Sequence, residues 1–234
     1  MANEATLKTA VDNIFGTALT ERNGTVVPTT DTVTNSQAVK LEAAFLYADL
    51  AGSAMLTRLC PWQTTAKIMR AYLDCTSRII RAWGGEIRSF DGDRVMGVFI
   101  GDLKNTHATN CAREIFYMVD RILAPKATSK FDSIRNNSIE LKNGIGIDYG
   151  DARAVRAGIR NSNDLIWIGR APSFAAKLSD IRDFPRSVYI SNDVYKRLPD
   201  SSKVSGETNI WTAKTFTFAG ESHTVYGTSY LKTP

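Results

Sequence analysis

The spacing of apolar residues predicts that helices alternate with short strands along most of the chain. Near the N-terminus, apolar residues recur at helical intervals, at Leu7, Val11, Ile14, Phe15 and Leu19. This pattern predicts an amphipathic helix over residues 4–19. The Thr-, Asn- and Val-rich stretch that follows has no such period and contains Pro28, which is typical of a linker or an extended arm. We therefore assign residues 1–40 to a helix and arm, and residues 41–234 to the main domain.

The pattern changes at Glu42, close to the start of the main domain. The segment EAAFLYADLAG is apolar and ends in a glycine turn, which predicts a short buried strand. A helix is expected from Pro61 to Trp83, because proline suits a first helical turn and a Gly-Gly pair ends the pattern. Its apolar face consists of Ile68, Met69, Tyr72, Leu73, Ile79 and Ile80. Strands are then predicted over 86–90 and 94–100, with an Asp-Gly-Asp turn between them.

The second half of the main domain continues this alternation. A helix is predicted over 105–123 and a polar loop over 127–137. The segment SIELKNGIGIDYGDARAVRAGI indicates two strands with a glycine-marked bend, and LIWIG indicates a strand that leads into the helix RAPSFAAKLSDI. Short strands and a helical turn near 192–198 complete the chain. The order β-α-β-β-α-β predicts an α+β, ferredoxin-like sandwich with a central, mostly antiparallel sheet.

Composition and charge narrow the functional classes. The chain has 234 residues, 43% of them hydrophobic, which suits a globular domain with a substantial core. The net charge of +5 is not concentrated in a basic tract, so nucleic acid is not an expected partner. Cys60, Cys75 and Cys111 lack metal-ligand spacing, which favours a reduced, cytoplasmic protein. His107 and His223 cannot form a multi-histidine metal site, and no apolar run predicts a membrane span.

Two aspartates are the candidates for chemistry. Asp49 ends the first strand of the main domain, and Asp93 follows the turn between the next two strands. In a β-α-β-β sheet these positions can meet at one edge, where paired carboxylates bind hard cations such as Mg²⁺ or Mn²⁺. Paired ions of this kind suit phosphoryl transfer. The alternative, equally weighted on spacing alone, is that Asp91 and Gly92 simply form a tight hairpin turn.

The segments FLYADLAGS, GGEIRSFDGDRVMGVF, NGIGIDYGDARAV and IWIGRAPSFAAKLS resemble, in this order, the motifs of class III nucleotidyl cyclase domains. The resemblance covers residues 42–230 and implies cyclisation of a nucleoside triphosphate by a head-to-tail homodimer with composite active sites. It also implies two Mn²⁺ or Mg²⁺ ions, held by Asp49, Asp93 and the backbone of Leu50. The backbone of Leu50, Ala51 and Gly52 is expected to cradle the triphosphate.

The departures from the family pattern concern the base and the reacting phosphate. Ser89 and Ile166 stand at the base-reading positions in place of the residues typical of purine cyclases, and Tyr47 offers a hydroxyl to a base edge. Ser173 and Lys177 stand where the family has an asparagine that orients the ribose and an arginine that stabilises transition-state charge. Lysine keeps the positive charge without the planar fork of arginine.

With these departures, the sequence most resembles the pyrimidine cyclases of bacterial Pycsar antiphage systems. That resemblance implies conversion of UTP to cyclic UMP, and a separate effector that the cyclic nucleotide activates. CTP is the alternative substrate, followed by a purine such as ATP in an unusual pocket. A catalytically silent nucleotide-binding domain and a different two-metal palm, such as a polymerase or diguanylate cyclase, are the remaining alternatives.

Overall fold

The computed structural model describes residues 3–159 and 161–234. Their helices are α1 Glu4–Gly16, α2 Ser53–Leu59, α3 Trp62–Ala82, α4 Lys104–Tyr117, α5 Ala124–Lys130, α6 Asp132–Asn136, α7 Arg170–Ser179 and α8 Asn192–Arg197. The strands are β1 Thr20–Asn23, β2 Gln37–Ala51, β3 Glu86–Asp91, β4 Arg94–Phe99, β5 Lys142–Ile159, β6 Ser162–Ile168, β7 Val188–Ser191, β8 Val204–Ser205, β9 Thr208–Asn209, β10 Thr212–Phe218 and β11 Glu221–Thr228.

The chain divides into two compact units, and strands β2 and β5 each contribute to both. The larger unit consists of residues 42–151 and 169–234. Its sheet has the strand order β10-β11-β7-β5-β2-β4-β3. Strands β2, β4 and β3 are antiparallel neighbours, whereas β5 and β7 run parallel. The predicted α+β architecture with a mostly antiparallel central sheet is therefore confirmed.

The main core of the larger unit lies between one face of this sheet and the helices α3 and α4. Alternate residues of β2 point into it, as expected for a strand with one face on a core: Ala44, Leu46, Ala48 and Leu50. Helix α3 contributes Ile68, Tyr72 and Ile80, which recur at helical spacing and are fully buried. The intervening β2 residues, among them Tyr47 and Asp49, therefore lie on the opposite face of the sheet.

Helix α7 packs on that opposite face, close to the backbone of β5. At Gly146, a Cβ atom would collide with the carbonyl oxygen of Ala175 and the amide nitrogen of Ser179. Glycine is therefore required here by the close approach of a helix to a strand. This contact fixes α7 along the strand that neighbours β2 in the sheet.

Two predictions for the larger unit are wrong in detail. The polar loop expected over 127–137 is largely helical, because α5 and α6 bury Ala127 and Ile134 while most of their other residues face solvent. The two strands expected around a glycine bend form the single strand β5. The long helix predicted from Pro61 is confirmed as α3, and the helix predicted near residue 105 is α4 with a π-helical continuation over Met118–Leu123.

The smaller unit comprises the described residues of 1–41 and 152–168. Strand β1 pairs in parallel with the start of β2, and the end of β5 forms an antiparallel hairpin with β6. Val33, Val39 and Ala154 form a small core, against which Leu165 and Trp167 pack. The predicted N-terminal helix is confirmed as α1, and its apolar residues are exposed. None of the helices that the structure describes is long and apolar enough to cross a membrane.

Candidate active site

The hairpin β3–β4 brings the two predicted metal carboxylates to one edge of the sheet. Asp91 pairs with Arg94, so the two loop residues are Gly92 and Asp93. Gly92 has a φ of +61°, a conformation that glycine adopts without strain at the first position of a two-residue hairpin loop. Asp49 stands opposite Arg94 in the neighbouring strand β2. Asp91 thus ends a strand, and the turn itself holds Asp93 beside Asp49.

Asp49 is buried and lies between two arginines. The guanidinium of Arg182 donates a hydrogen bond to its Oδ2 atom, and Nε of Arg94 lies 3.5 Å from its Oδ1 atom. Arg94 also donates to Oδ1 of Asp180, at 2.5 Å. The side chain of Arg94 is only 26% exposed, and its contacts with both carboxylates make it part of a charge network at this edge.

The electrostatics of this pair favour a bound cation. Burial raises the pKa of Asp49, and the negative charge of Asp93 raises it further, while Arg94 and Arg182 act in the opposite direction. Oδ2 of Asp93 is buried and has no hydrogen-bond partner among the residues described. A buried carboxylate oxygen without a partner is costly, and a divalent ion that accepts oxygen ligands would satisfy it. The donor set therefore fits Mg²⁺ or Mn²⁺.

Tyr47 and Ser89, two of the predicted base-reading residues, flank the same methionine. Both are paired in register with Met96 of β4, Tyr47 from β2 and Ser89 from β3. The Tyr47 hydroxyl donates to the Met96 sulfur at 3.2 Å. Burial raises the pKa of the Tyr47 phenol, so the hydroxyl remains a donor at neutral pH. The structure thus brings together a phenol, a thioether and a serine hydroxyl on the sheet face that carries Asp49.

A cavity of about 430 Å³ adjoins the loop that follows Asp49. Ala51 and Gly52 line one side, and Arg182 contributes positive charge, whereas Lys142 is paired with Glu140, which also lines the cavity. Gly52 has a φ of +83°, which turns the chain sharply between β2 and α2. The side chain of Leu50 points into the core, which leaves only its backbone for a role at this edge. The cavity can accommodate an anion beside the two carboxylates.

Arg182 is the functional candidate that the sequence did not reveal. It lies 133 positions after Asp49 and follows α7 in an irregular segment, where no period or motif marks it. Its guanidinium occupies the space beside Gly144, where a Cβ atom would collide with Nη1. A glycine within a strand is the one local signal, because it often marks a close approach. That signal does not identify the arginine that makes the approach.

Ser173 and Lys177 lie four residues apart on the exposed side of α7. Nζ of Lys177 is 3.6 Å from Asp180, and its side chain is 64% exposed. No hydrogen bond or ion pair joins either residue to Asp49 or Asp93 within the described residues, but Lys177 shares the carboxylate of Asp180 with Arg94, which contacts Asp49. Both side chains face outward and are available to another molecule.

The start of α7 is anchored by an ion pair to a buried carboxylate. Nη2 of Arg170 lies 3.3 Å from Asp148, which is completely buried in β5, and 2.6 Å from Asp193 of α8. Burial raises the pKa of Asp148 to about 6, even though Ser191 and Arg170 act to lower it. The anchor fixes the orientation of the helix that carries Ser173 and Lys177.

Ile166, the remaining predicted base-reading residue, belongs to the smaller unit. It alternates along β6 with Leu165 and Trp167, which pack on the small core, and its own side chain is 48% exposed. Trp167 therefore has a packing role in this unit. Ile166 is an exposed apolar residue within its unit.

Comparisons with known proteins give relatives over nearly the whole chain, although no family model matches. A uridylate cyclase from Rhodovulum sp. is 41% identical over 217 residues, which cover 92% of this chain and 90% of the relative. A uridylate cyclase from Xanthomonas perforans is 37% identical, and the aligned residues cover 96% of this chain and 95% of the relative. Among solved structures, the adenylyl cyclase CyaB from P. aeruginosa is similar with a TM-score of 0.66 and 18% identity, over 82% of this chain and 95% of CyaB.

Proposed function

The chain belongs to the uridylate cyclases, which share the class III cyclase fold, and from this premise we propose that it converts UTP into 3′,5′-cyclic UMP and pyrophosphate. The observation that carries the proposal is the pair Asp49 and Asp93 at one sheet edge. One buried oxygen of Asp93 has no hydrogen-bond partner among the described residues. A silent domain has no need for two such carboxylates at one edge. The cytidylate reaction differs only at the base and is the second candidate.

Asp49, Asp93 and the backbone carbonyl of Leu50 are the proposed ligands of two Mg²⁺ or Mn²⁺ ions. Bound ions would activate the ribose 3′-hydroxyl and neutralise the departing pyrophosphate. In the reaction, the 3′-oxygen forms a bond with the α-phosphorus, and the bond from that phosphorus to the bridging oxygen breaks. We assign no side-chain base, so the hydroxyl proton passes to solvent.

The cavity beside the carboxylates is proposed to hold the β- and γ-phosphates. The backbone of Ala51 and Gly52 borders it, and Arg182 supplies positive charge. When a triphosphate enters, Arg182 exchanges its carboxylate partner for phosphate oxygens, to which a guanidinium binds in a forked geometry. Arg182 thus balances the charge of Asp49 before the ions and the substrate arrive.

For the base, we propose that Tyr47 and Ser89 contact the uracil edge beside Met96. This assignment is supported by their common position on the sheet face that carries Asp49. A hydroxyl both donates and accepts hydrogen bonds, so it can pair with the carbonyl or the imide of uracil. Ile166 is proposed as an apolar base contact.

We also propose a head-to-tail homodimer in which Ser173 and Lys177 of one subunit complete the site of the other. Their exposure on α7 supports this arrangement. Ser173 is assigned to the ribose and Lys177 to the charge that develops on the α-phosphate. The proposed setting is the cytoplasm, which the three free cysteines support, and the proposed role is antiphage signalling through a separate effector.

The function is tested by incubating the purified protein with Mn²⁺ and UTP and resolving the products by mass. We expect cyclic UMP and pyrophosphate in equal amounts. Asp49→Asn and Asp93→Asn are expected to lower turnover at least 1000-fold while the circular dichroism spectrum stays unchanged. Asp91→Asn is the matched control and should retain turnover, because Asp91 is exposed at the end of β3. Equal turnover in all three variants would overturn the assignment of the metal site.

A further inference from the structure

An apolar cavity separate from the candidate active site lies between α3 and the helical segment that follows α4. Its volume is about 270 Å³, roughly that of nine water molecules at about 30 Å³ each. Ile68, Ala71 and Cys75 line it from α3, and Met118 and Leu123 line it from the opposite side. This volume lies just below the lower limit of about 300 Å³ that is usual for ligand pockets in proteins. The cavity therefore suits a small molecule.

Three lysines lie at the rim of this apolar cavity: Lys67, Lys126 and Lys130. All three are exposed, and none forms an ion pair with a carboxylate in the part of the chain that is described. The nearby acidic residues Asp120 and Asp132 are paired with Arg121 and Arg135. An apolar interior with an uncompensated positive rim is complementary to a molecule with an apolar body and one anionic group.

The wall formed by Met118–Leu123 is a π-helix. Such segments are rare, because their wide turns pack less well than an α-helix, and they occur frequently at functional sites. Here the wide turn carries Met118, Ile122 and Leu123 along the cavity wall. The flexible thioether of Met118 can adapt to ligands of different shape.

Helix α3 connects this cavity with the candidate active site. Ile68 lines the cavity and lies one helical turn before Tyr72, which is completely buried. Tyr72 belongs to the same hydrophobic core as Leu50, the residue that follows Asp49 in β2. A shift of α3 at Ile68 would therefore reach the core that supports the strand carrying Asp49.

We propose that the lysine-rimmed cavity between α3 and the π-helix binds a small apolar anion and that its occupancy alters turnover at the Asp49–Asp93 site. The ligand class is an aliphatic or aromatic body of about ten non-hydrogen atoms with one carboxylate or phosphate. The effect on turnover rests on the proposed cyclase activity, whereas binding to the cavity does not.

The probe is octanoate, which has an apolar chain and one carboxylate, with octylammonium as the analogue of opposite charge. Binding is followed by NMR on protein with ¹³C-labelled methionine methyl groups. The Met118 signal should shift with saturation at a Kd on the order of 1 mM or tighter. Octylammonium should bind at least 10-fold more weakly. Saturating octanoate should change UTP turnover at least 2-fold.

The variant Lys67→Glu/Lys130→Glu should weaken octanoate binding at least 10-fold and abolish the change in turnover. Lys8→Glu/Lys196→Glu is the matched control, because it makes the same charge change at exposed lysines outside the cavity. A Met118 signal that does not saturate, or that responds equally to octylammonium, overturns the site. If the Met118 signal saturates but the turnover of active enzyme does not change, the regulatory role is wrong. If the enzyme is inactive but still binds octanoate, the binding site stands and the proposed cyclase activity does not.

Discussion

At the scale of single residues, Arg182 links Asp49, a proposed metal ligand, to the adjoining cavity. It donates a hydrogen bond to Asp49 and also lines the cavity together with Lys142. In the proposed site, this arginine would compete with cations for Asp49 when substrate is absent and would bind phosphate when it is present. The proposal therefore gives the same side chain opposite effects on metal affinity and on substrate affinity.

The variant Arg182→Gln separates these two effects. Hydrogen bonds to charged groups contribute about 1.5–3 kcal/mol, so the KM for UTP should rise roughly 10- to 100-fold. Mn²⁺ should bind the substrate-free variant more tightly, because Asp49 loses a competing cation. Electron paramagnetic resonance measures the Mn²⁺ affinity, and Arg186→Gln is the control. An unchanged KM would remove Arg182 from the phosphate site.

Asp148 predicts a pH dependence of stability. Its pKa is about 6 in the folded protein against a usual value of 3.8, so the folded state binds the proton more tightly than the unfolded state. This contribution to stability is fully present below pH 3.8 and is lost as the pH rises through 6. Between pH 5 and pH 8, the free energy of unfolding of the wild type should fall by roughly 1–2 kcal/mol. The variant Asp148→Asn should not show this fall. Urea unfolding at the two pH values measures the difference, and parallel losses in both proteins would contradict it.

At the scale of elements, the contact between α7 and β5 sets the position of Ser173 and Lys177. Gly146 allows this contact, since any side chain there meets the helix backbone. Gly146→Ala should destabilise the fold by about 1–3 kcal/mol, because the helix has to move away from the strand. Gly16→Ala is the control, as no atom lies near its Cβ position. Equal unfolding midpoints for the two variants would show that α7 does not pack this closely.

The sequence identifies the elements whose residues have a clear period or a local motif. Helix α3, the hairpin with Asp93 and the strand with Asp49 are predicted because each carries its signal within about twenty residues. Helices α5 and α6 are missed because each buries so few apolar residues that its segment has the composition of a loop. Arg182 is missed because only tertiary packing brings it to Asp49.

At the scale of the whole molecule, the proposed dimer divides each active site between two subunits. Asp49 and Asp93 belong to one subunit, and Lys177 belongs to the other. Subunits with Asp93→Ala and subunits with Lys177→Ala should therefore complement each other. In an equal mixture, half of the dimers are mixed and each has one intact site, so about a quarter of wild-type turnover should return.

The matched control is a mixture of Asp49→Ala and Asp93→Ala subunits. Both substitutions affect the same half of the site, so no mixed dimer contains an intact one and turnover should stay at background. Subunit exchange is confirmed by mass measurement of the mixed dimers. If both mixtures stay inactive although mixed dimers form, the active site is not shared in the proposed way.

The central claim is that the protein is a cyclase that selects uracil. The most direct measurement is incubation of the purified protein with Mn²⁺ and equimolar ATP, GTP, CTP and UTP, followed by mass-resolved analysis of the cyclic nucleotides. The account predicts that cyclic UMP dominates and that Tyr47→Phe and Ser89→Ala reduce this preference. Dominant cyclic AMP or cyclic GMP, or no cyclic product from a well-folded dimer, would contradict it.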